Sequence, residues 1–240
     1  MTPDLTLIHY TANWLDRVNP SFAEKVREQI VKSAGEYPII SVSQKPMDFG
    51  QNICIGERPR GHLEIYRAIL VGAKAAITPF VGMAEDDVLA PSSHWRTYRP
   101  PLNKFAYDLN RWGINTWVTP PVFGYRNRPV VNQLIAPRQL LIDALEERFT
   151  KFKDVPDSAV PLDRWGDPGR YEARLGVTVR ELECFAAPDP SIVFSHEEAF
   201  GFLNHGKRKS VGHFPRAWLP RWGFAEEMLA LYKQPELQTV

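Results

Sequence analysis

The first ninety residues alternate between short apolar runs and amphipathic stretches, and this alternation restricts the chain to few architectures. Leu5 to Tyr10 is apolar and β-prone, and it ends in the small polar turn Thr11-Ala12-Asn13. Pro20 opens a helical stretch, Ser21 to Ala34, whose Phe22, Val26, Ile30 and Val31 fall on one face before Gly35 stops it. Tyr37 to Ser43 reads as a second strand and Gln44 to Gly61 as a loop rich in Pro, Gly and Asn. His62 to Ala76 follows as a second amphipathic helix, and Pro79 to Met83 as a buried strand. Strand–helix–strand–helix–strand order implies right-handed crossovers and a mostly parallel sheet flanked by helices, an α/β fold.

The second half is less periodic. Aromatic and proline residues crowd 92–125, and the stretch Asn132 to Phe149 predicts a clear helix after Pro137. A loop over 151–171, a short strand at Ser191 to Phe194 and a final helix from Pro220 to Tyr232 complete the reading. No linker-like break appears, so one domain is expected over 1–240. The 21 prolines in 240 residues exceed the usual share of about 5% and point to long ordered loops. With 44% hydrophobic and 24% charged residues, the composition excludes disordered and collagen-like classes. No run approaches the roughly 18 apolar residues of a membrane span, and Met1 to Tyr10 has no signal-peptide pattern. A cytoplasmic protein is the expectation (host cytoplasm if phage-encoded). Cys54 and Cys184 are too few for a disulfide framework or a four-cysteine metal site and are expected to be small buried residues.

Charge is distributed unevenly. Residues 91–140 carry a net +6 and residues 141–201 a net −6, within a chain of net +1. The basic block either attracts phosphates or faces the acidic block within the fold. Its Arg111, Arg126, Arg128 and Arg138, interrupted by Trp112, Trp117 and Tyr125, form a pattern suited to phosphate contact with stacking.

The feature richest in chemistry is Glu85-Asp86-Asp87, at the end of the buried strand Pro79 to Met83. Ligands of open α/β sheets collect outside the carboxyl ends of strands. Three adjacent carboxylates there repel one another unless a cation or helix end compensates, and such oxygen-rich clusters suit Mg²⁺ or Mn²⁺ bridging to a diphosphate. In an extended segment Glu85 and Asp87 point one way and Asp86 the other. A solvated acidic turn is the plain alternative.

An apolar strand ending in this triplet, after two βα units, resembles the GT-A class of nucleotide-sugar glycosyltransferases, with Glu-Asp-Asp as a variant of their Asp-x-Asp motif. The resemblance runs in order through roughly residues 5–210, although only the triplet is a specific motif. It implies a single Rossmann-type domain with a nucleotide-sugar-binding half (1–90), an acceptor and metal-completing half (91–210) and a C-terminal helical tail (211–240). It also implies Mn²⁺ or Mg²⁺ as cofactor, with Asp87 as metal ligand and Glu85 in support. Asp86, Tyr10, Thr11 and Arg60 would then lie on the donor. His196, after the strand Ser191 to Phe194, looks like the late histidine that completes the metal site, with His205 as its competitor. Lys207 and Arg208, in the run Gly206-Lys207-Arg208-Lys209, match a basic loop that neutralises the leaving diphosphate. The segment Gly201 to Lys207 also has phosphate-loop spacing, but Arg208 stands where a Ser or Thr must reach Mg²⁺, and that reading is rejected.

An inverting transferase needs a carboxylate base, and Asp167 or Glu172 in the segment Trp165 to Glu172 is the candidate. The implied partners are a nucleotide-sugar donor and an acceptor that is either a glycan or hydroxymethylated pyrimidine in DNA. Two rivals stand beside this reading. A nucleotidyltransferase acting on sugar phosphates shares the α/β start but usually has a glycine-rich basic loop where this chain has Thr11-Ala12-Asn13. A non-catalytic nucleic-acid-binding protein leaves the carboxylate cluster unexplained.

Overall fold

The computed structural model describes residues 2–59, 61–153, 166–196, 212–214 and 216–233. The elements run β1 (Leu5–Thr11), α1 (Trp14–Val18), α2 (Pro20–Ala34), β2 (Ile39–Ser43), β3 (Gln51–Cys54), α3 (His62–Ala75), β4 (Phe80–Glu85), β5 (Val88–Leu89) and α4 (Ser92–Arg96). They continue with β6 (Lys104–Asp108), β7 (Arg111–Asn115), β8 (Phe123–Tyr125), β9 (Leu134–Pro137), α5 (Arg138–Lys151), α6 (Glu172–Leu175), β10 (Glu181–Phe185), β11 (Ser191–Ser195), β12 (Gly212–Phe214) and α7 (Ala225–Tyr232).

Seven strands form the central sheet in the order β10-β6-β9-β4-β1-β2-β3. All neighbours pair in parallel except at β9, which runs antiparallel to both β4 and β6. The expected mostly parallel α/β sheet flanked by helices is therefore present. Every residue of β1 is buried, as a central strand covered on both faces requires. Leu5 and Leu7 belong to the core beneath α2, with Phe22, Val26 and Ile30. Ile8 and Tyr10, the alternate residues, join the core under α3 and α5 with Ile69, Leu141 and Leu145. Asn19 caps α2 by accepting the Phe22 N–H at 3.3 Å, while its amide donates to the Tyr232 carbonyl at 2.6 Å and ties α7 to the same end.

The chain passes from β1 to β2 on one side, and from β3 back across to β4 on the other. The strands leave a topological switch point between β1 and β4, where adjacent connections diverge and a crevice must open at the carboxyl ends. A second sheet, in the order β12-β8-β7-β11-β5, begins immediately after that point. β5 pairs with β11, and the Phe194 N–H donates to the Asp87 carbonyl at 2.9 Å. The end of β4 is thus built into both sheets.

Several expectations change. Of the stretch Asn132 to Phe149, residues 132–137 do not join the helix: a 3-10 turn (Val131–Gln133) leads into β9, and α5 begins at Arg138, directly after Pro137. Pro137 explains the boundary, since its missing N–H and ring exclude the helix interior. The Gln44–Gly61 loop contains the edge strand β3, and the aromatic region 92–125 contains β6, β7 and β8. The last helix starts at Ala225, not Pro220. Cys54 and Cys184 are exposed, not buried, because β3 and β10 are the two edge strands of the large sheet. Arg111 and Arg126 of the basic block are buried, while Lys104 meets Glu183 and Glu181 of the acidic block at 3.0 and 3.1 Å. Among the described residues no helix is long and apolar enough to cross a membrane.

Gly72 lets α3 lie close on the sheet: a Cβ there would stand 2.5 Å from Ile8 Cγ2, on a stiff, fully buried β-branched side chain. Gly72→Ala gains about 1 kcal/mol of helix propensity but loses about 1–3 kcal/mol to overpacking. A net loss of about 1 kcal/mol is expected, read as a lower urea midpoint at unchanged slope.

Candidate active site

A cavity of about 490 Å³ occupies the switch point. Tyr10 and Thr11 of β1, the Glu85-Asp86-Asp87 triplet, Arg111, Arg128, Asp167 and His196 all line it. Residues separated by up to 186 positions in the chain meet there because β1, β4, β7 and β11 all end or begin around the same crevice.

The three carboxylates are splayed apart. Glu85 closes β4, and Asp86 and Asp87 form a two-residue turn before β5, which ends the strand alternation. Glu85 Oε1 accepts from the Tyr10 hydroxyl at 2.8 Å and its Oε2 from the Asn132 amide at 2.6 Å. Asp86 Oδ2 accepts from the Thr11 hydroxyl at 2.7 Å. Asp87 Oδ2 faces His196 Nε2 at 3.9 Å. The turn thus gives each acid its own partner and lets all three reach one cavity, where strict alternation would have sent Asp86 away. Asn132 was not singled out in the sequence. Its place in a stretch read for its helix hid it, and the Pro137 boundary was the available signal.

Burial pushes the Glu85 carboxyl up, against the hydrogen bonds from Asn132 and Tyr10 and the charge of Arg111. Burial also raises Asp86, to about 6, although the Thr11 hydroxyl opposes the shift. Arg111 is driven down to about 9, mainly by burial and then by Arg126 and Arg128. The Tyr10 phenol is raised well above its usual range by burial and by Glu85.

Asp87 and His196 supply one carboxylate and one imidazole, a donor pair suited to Mn²⁺ and less so to Mg²⁺. Their 3.9 Å separation is too long for a hydrogen bond and wider than the roughly 3.0 Å between adjacent ligands of an octahedral ion, so the two side chains would close on a shared ion. Glu85 is held beside them, its two oxygens accepting from Tyr10 and Asn132. Among the described residues no group of three His, Cys, Asp or Glu side chains comes together for a metal. Substrate oxygens would therefore have to complete the shell, as is common for these ions.

The two candidate bases part company. Asp167 lines the cavity, its Oδ1 accepting the Val131 N–H at 2.6 Å and its Oδ2 held by Arg170 at 2.8 Å. Burial raises its carboxyl, with Arg170 opposing. Glu172 does not line the cavity. It is 2% exposed, pairs with the buried Arg148 at 2.7 Å and accepts the Gly169 and Tyr171 N–H groups. That network fixes the loop carrying Asp167, so Glu172 acts as a structural support. Arg60, His205, Lys207 and Arg208 lie outside the described residues.

Glu172→Ala leaves Arg148 as a buried charge without its carboxylate, and a loss of about 3–5 kcal/mol is expected, measured by denaturant unfolding. Thr11→Val removes the hydroxyl that favours ionised Asp86, so its pKa should rise above about 6 in cation-free protein, read by carboxyl NMR titration. Because burial raises this acid in the folded state, the folded protein keeps the proton between about 3.8 and 6. The associated stability is present at low pH and is lost as pH rises through about 6.

No family model matches the sequence, and no curated protein matches it. Several solved structures share a distant similarity of shape. A nucleotidyl transferase from Methanothermobacter thermautotroptrophicus aligns at 18% identity and a TM-score of 0.42, over 78% of this chain and 88% of that one. A glycosyltransferase involved in the glycosylation of the major capsid of PBCV-1 aligns at 10% and 0.46, over 77% and 82%. The glycosyltransferase GlyE of Streptococcus pneumoniae TIGR4 aligns at 7% and 0.43, over 75% and 45%. Similarity this distant assigns neither a family nor an activity.

Proposed function

We propose that this protein is a divalent-cation-dependent glycosyltransferase that moves a sugar from a nucleoside diphosphate sugar to an acceptor hydroxyl. The observation that carries the reading is the convergence of Asp87, His196 and Asp167 on one cavity at the switch point of the sheet. Tyr10, Thr11 and Asp86, which line the cavity, would hold the donor. Asp87 and His196 would hold Mn²⁺ or Mg²⁺, which when bound supplies positive charge to a diphosphate.

Asp167 is the base in this reading. As the acceptor oxygen bonds to the anomeric carbon, the bond from that carbon to the diphosphate oxygen breaks, and the acceptor proton passes to the Asp167 carboxylate. Raised by burial, that carboxyl is a better proton acceptor than an exposed aspartate. Arg60, Lys207 and Arg208 are retained on the donor phosphates, Lys207 and Arg208 as cations for the leaving group. The acceptor is a glycan in preference to hydroxymethylpyrimidine in duplex DNA. Arg111 and Arg126 are 4% and 6% exposed, too deep to follow a duplex backbone, which needs surface cations.

Nucleoside diphosphates should bind more tightly with Mn²⁺ than with a chelator, as read by calorimetry. Asp87→Ala should abolish that difference and lower sugar transfer by at least about 100-fold, the scale of losing one strong electrostatic contact to a leaving group. A folded Asp87→Ala protein that keeps metal-enhanced binding would remove the basis of the reading.

A further inference from the structure

Opposite in charge to the carboxylate triplet, the cavity has a second pole. Arg111 opens β7 and is 4% exposed, yet its Nε and Nη1 find no hydrogen-bond acceptor among the described residues. A guanidinium withdrawn from water normally reaches a carboxylate, as Arg148 does with Glu172 at 2.7 Å. Burial is the largest influence lowering Arg111, and the like charges of Arg126 and Arg128 add to it, outweighing the opposing Glu85 and Asp87.

This crowding is built in. The Arg126 N–H donates to the Arg111 carbonyl at 2.9 Å, and its Nη2 donates to Asn115 Oδ1 at 3.1 Å. Gly113 makes room for it, because a Cβ there would collide with the Arg126 side chain. Arg111 and Arg128 both line the cavity, one buried and the other exposed at the rim. A buried guanidinium with unmet N–H donors, lining a cavity among further cations, is complementary to an anion that is absent from the chain itself.

We propose that Arg111 and Arg128 form a binding site for a phosphate-type oxyanion that operates without a metal ion. The planar forks of two guanidiniums suit a tetrahedral oxyanion, which can accept from both at once. The proposal rests on the glycosyltransferase reading only for the anion's source. That source is either the diphosphate of the donor or a phosphate group on the acceptor, and both present the same oxygens.

The test is calorimetric titration of the full chain with inorganic pyrophosphate and inorganic phosphate in EDTA. The wild type should bind pyrophosphate without a divalent cation, and Arg128→Gln should weaken binding about tenfold or more. Because Arg128 is exposed, that variant keeps the fold. Arg111→Lys, which keeps the charge and loses the fork, should also weaken binding, with folding checked by near-ultraviolet circular dichroism. Failure of the wild type to bind either anion in EDTA would overturn the proposal. So would wild-type affinity in Arg128→Gln and in folded Arg111→Lys. Competition by uridine diphosphate identifies the donor diphosphate as the source, whereas simultaneous binding identifies the acceptor, and either result supports the site. Arginine-dependent pyrophosphate binding with no nucleoside diphosphate binding, even with Mn²⁺, would sink the glycosyltransferase reading and leave the arginine site standing.

Discussion

Parallel pairing on both edges of β1 is the constraint from which the rest of the molecule follows. A strand hydrogen-bonded in parallel to β2 on one side and β4 on the other needs connections that return over the sheet faces, which α2 and α3 provide. Because one connection leaves toward β2 and the other arrives from β3 at β4, a crevice opens at their carboxyl ends. Functional side chains in such a sheet have one natural meeting place. Tyr10 and Thr11 reach it by ending β1, and Glu85 by ending β4.

That meeting place creates an electrostatic problem, because β4 delivers three acids in succession to a partly dry site. The two-residue turn at Asp86-Asp87 distributes them: neutral donors take Glu85 and Asp86, while Asp87 faces His196. Burial still raises Glu85 and Asp86, so the hydrogen bonds reduce the strain without removing it. A site left in this condition favours any cation that approaches.

Much of this was legible in the sequence where the hydrophobic period was clean. The elements β1, α2, β2, α3 and β4 and the α/β class follow from apolar alternation, and the place of Glu85 to Asp87 at the cavity from where an apolar strand ends, whereas the short α1 and the edge strand β3 carried no such period. The second half resisted for physical reasons. β9 is a four-residue buried strand abutting a helix, and an apolar run of that length has no period of its own to separate strand from helix. The grip of Glu172 on Arg148 spans 24 positions and depends on tertiary packing, so the sequence allowed Glu172 as a base as readily as Asp167. The same holds for the arginines: clustering in the sequence allowed phosphate contact or pairing with the acidic block, and the fold turned Arg111 and Arg126 inward.

The inward turn matters because Arg111 has acids within electrostatic reach and does not form an ion pair with them. Glu85, its first opposing charge, is already bonded through both oxygens to Tyr10 and Asn132. Two uncharged donors therefore do what the guanidinium would otherwise do, and they hold the carboxylate on the β4 side. Had Glu85 instead closed onto Arg111, the pair would have neutralised the cavity from within, and any anionic ligand would have had to break a buried ion pair before binding. With the acid restrained by neutral groups, positive and negative poles persist side by side in one crevice. Fixed charges of this kind need no reorganisation when charge develops on a bound group, which is where preorganised sites gain most over water. Tyr10 and Asn132 thus occupy the oxygens of Glu85 and leave the buried Arg111 guanidinium without an ion pair among the described residues.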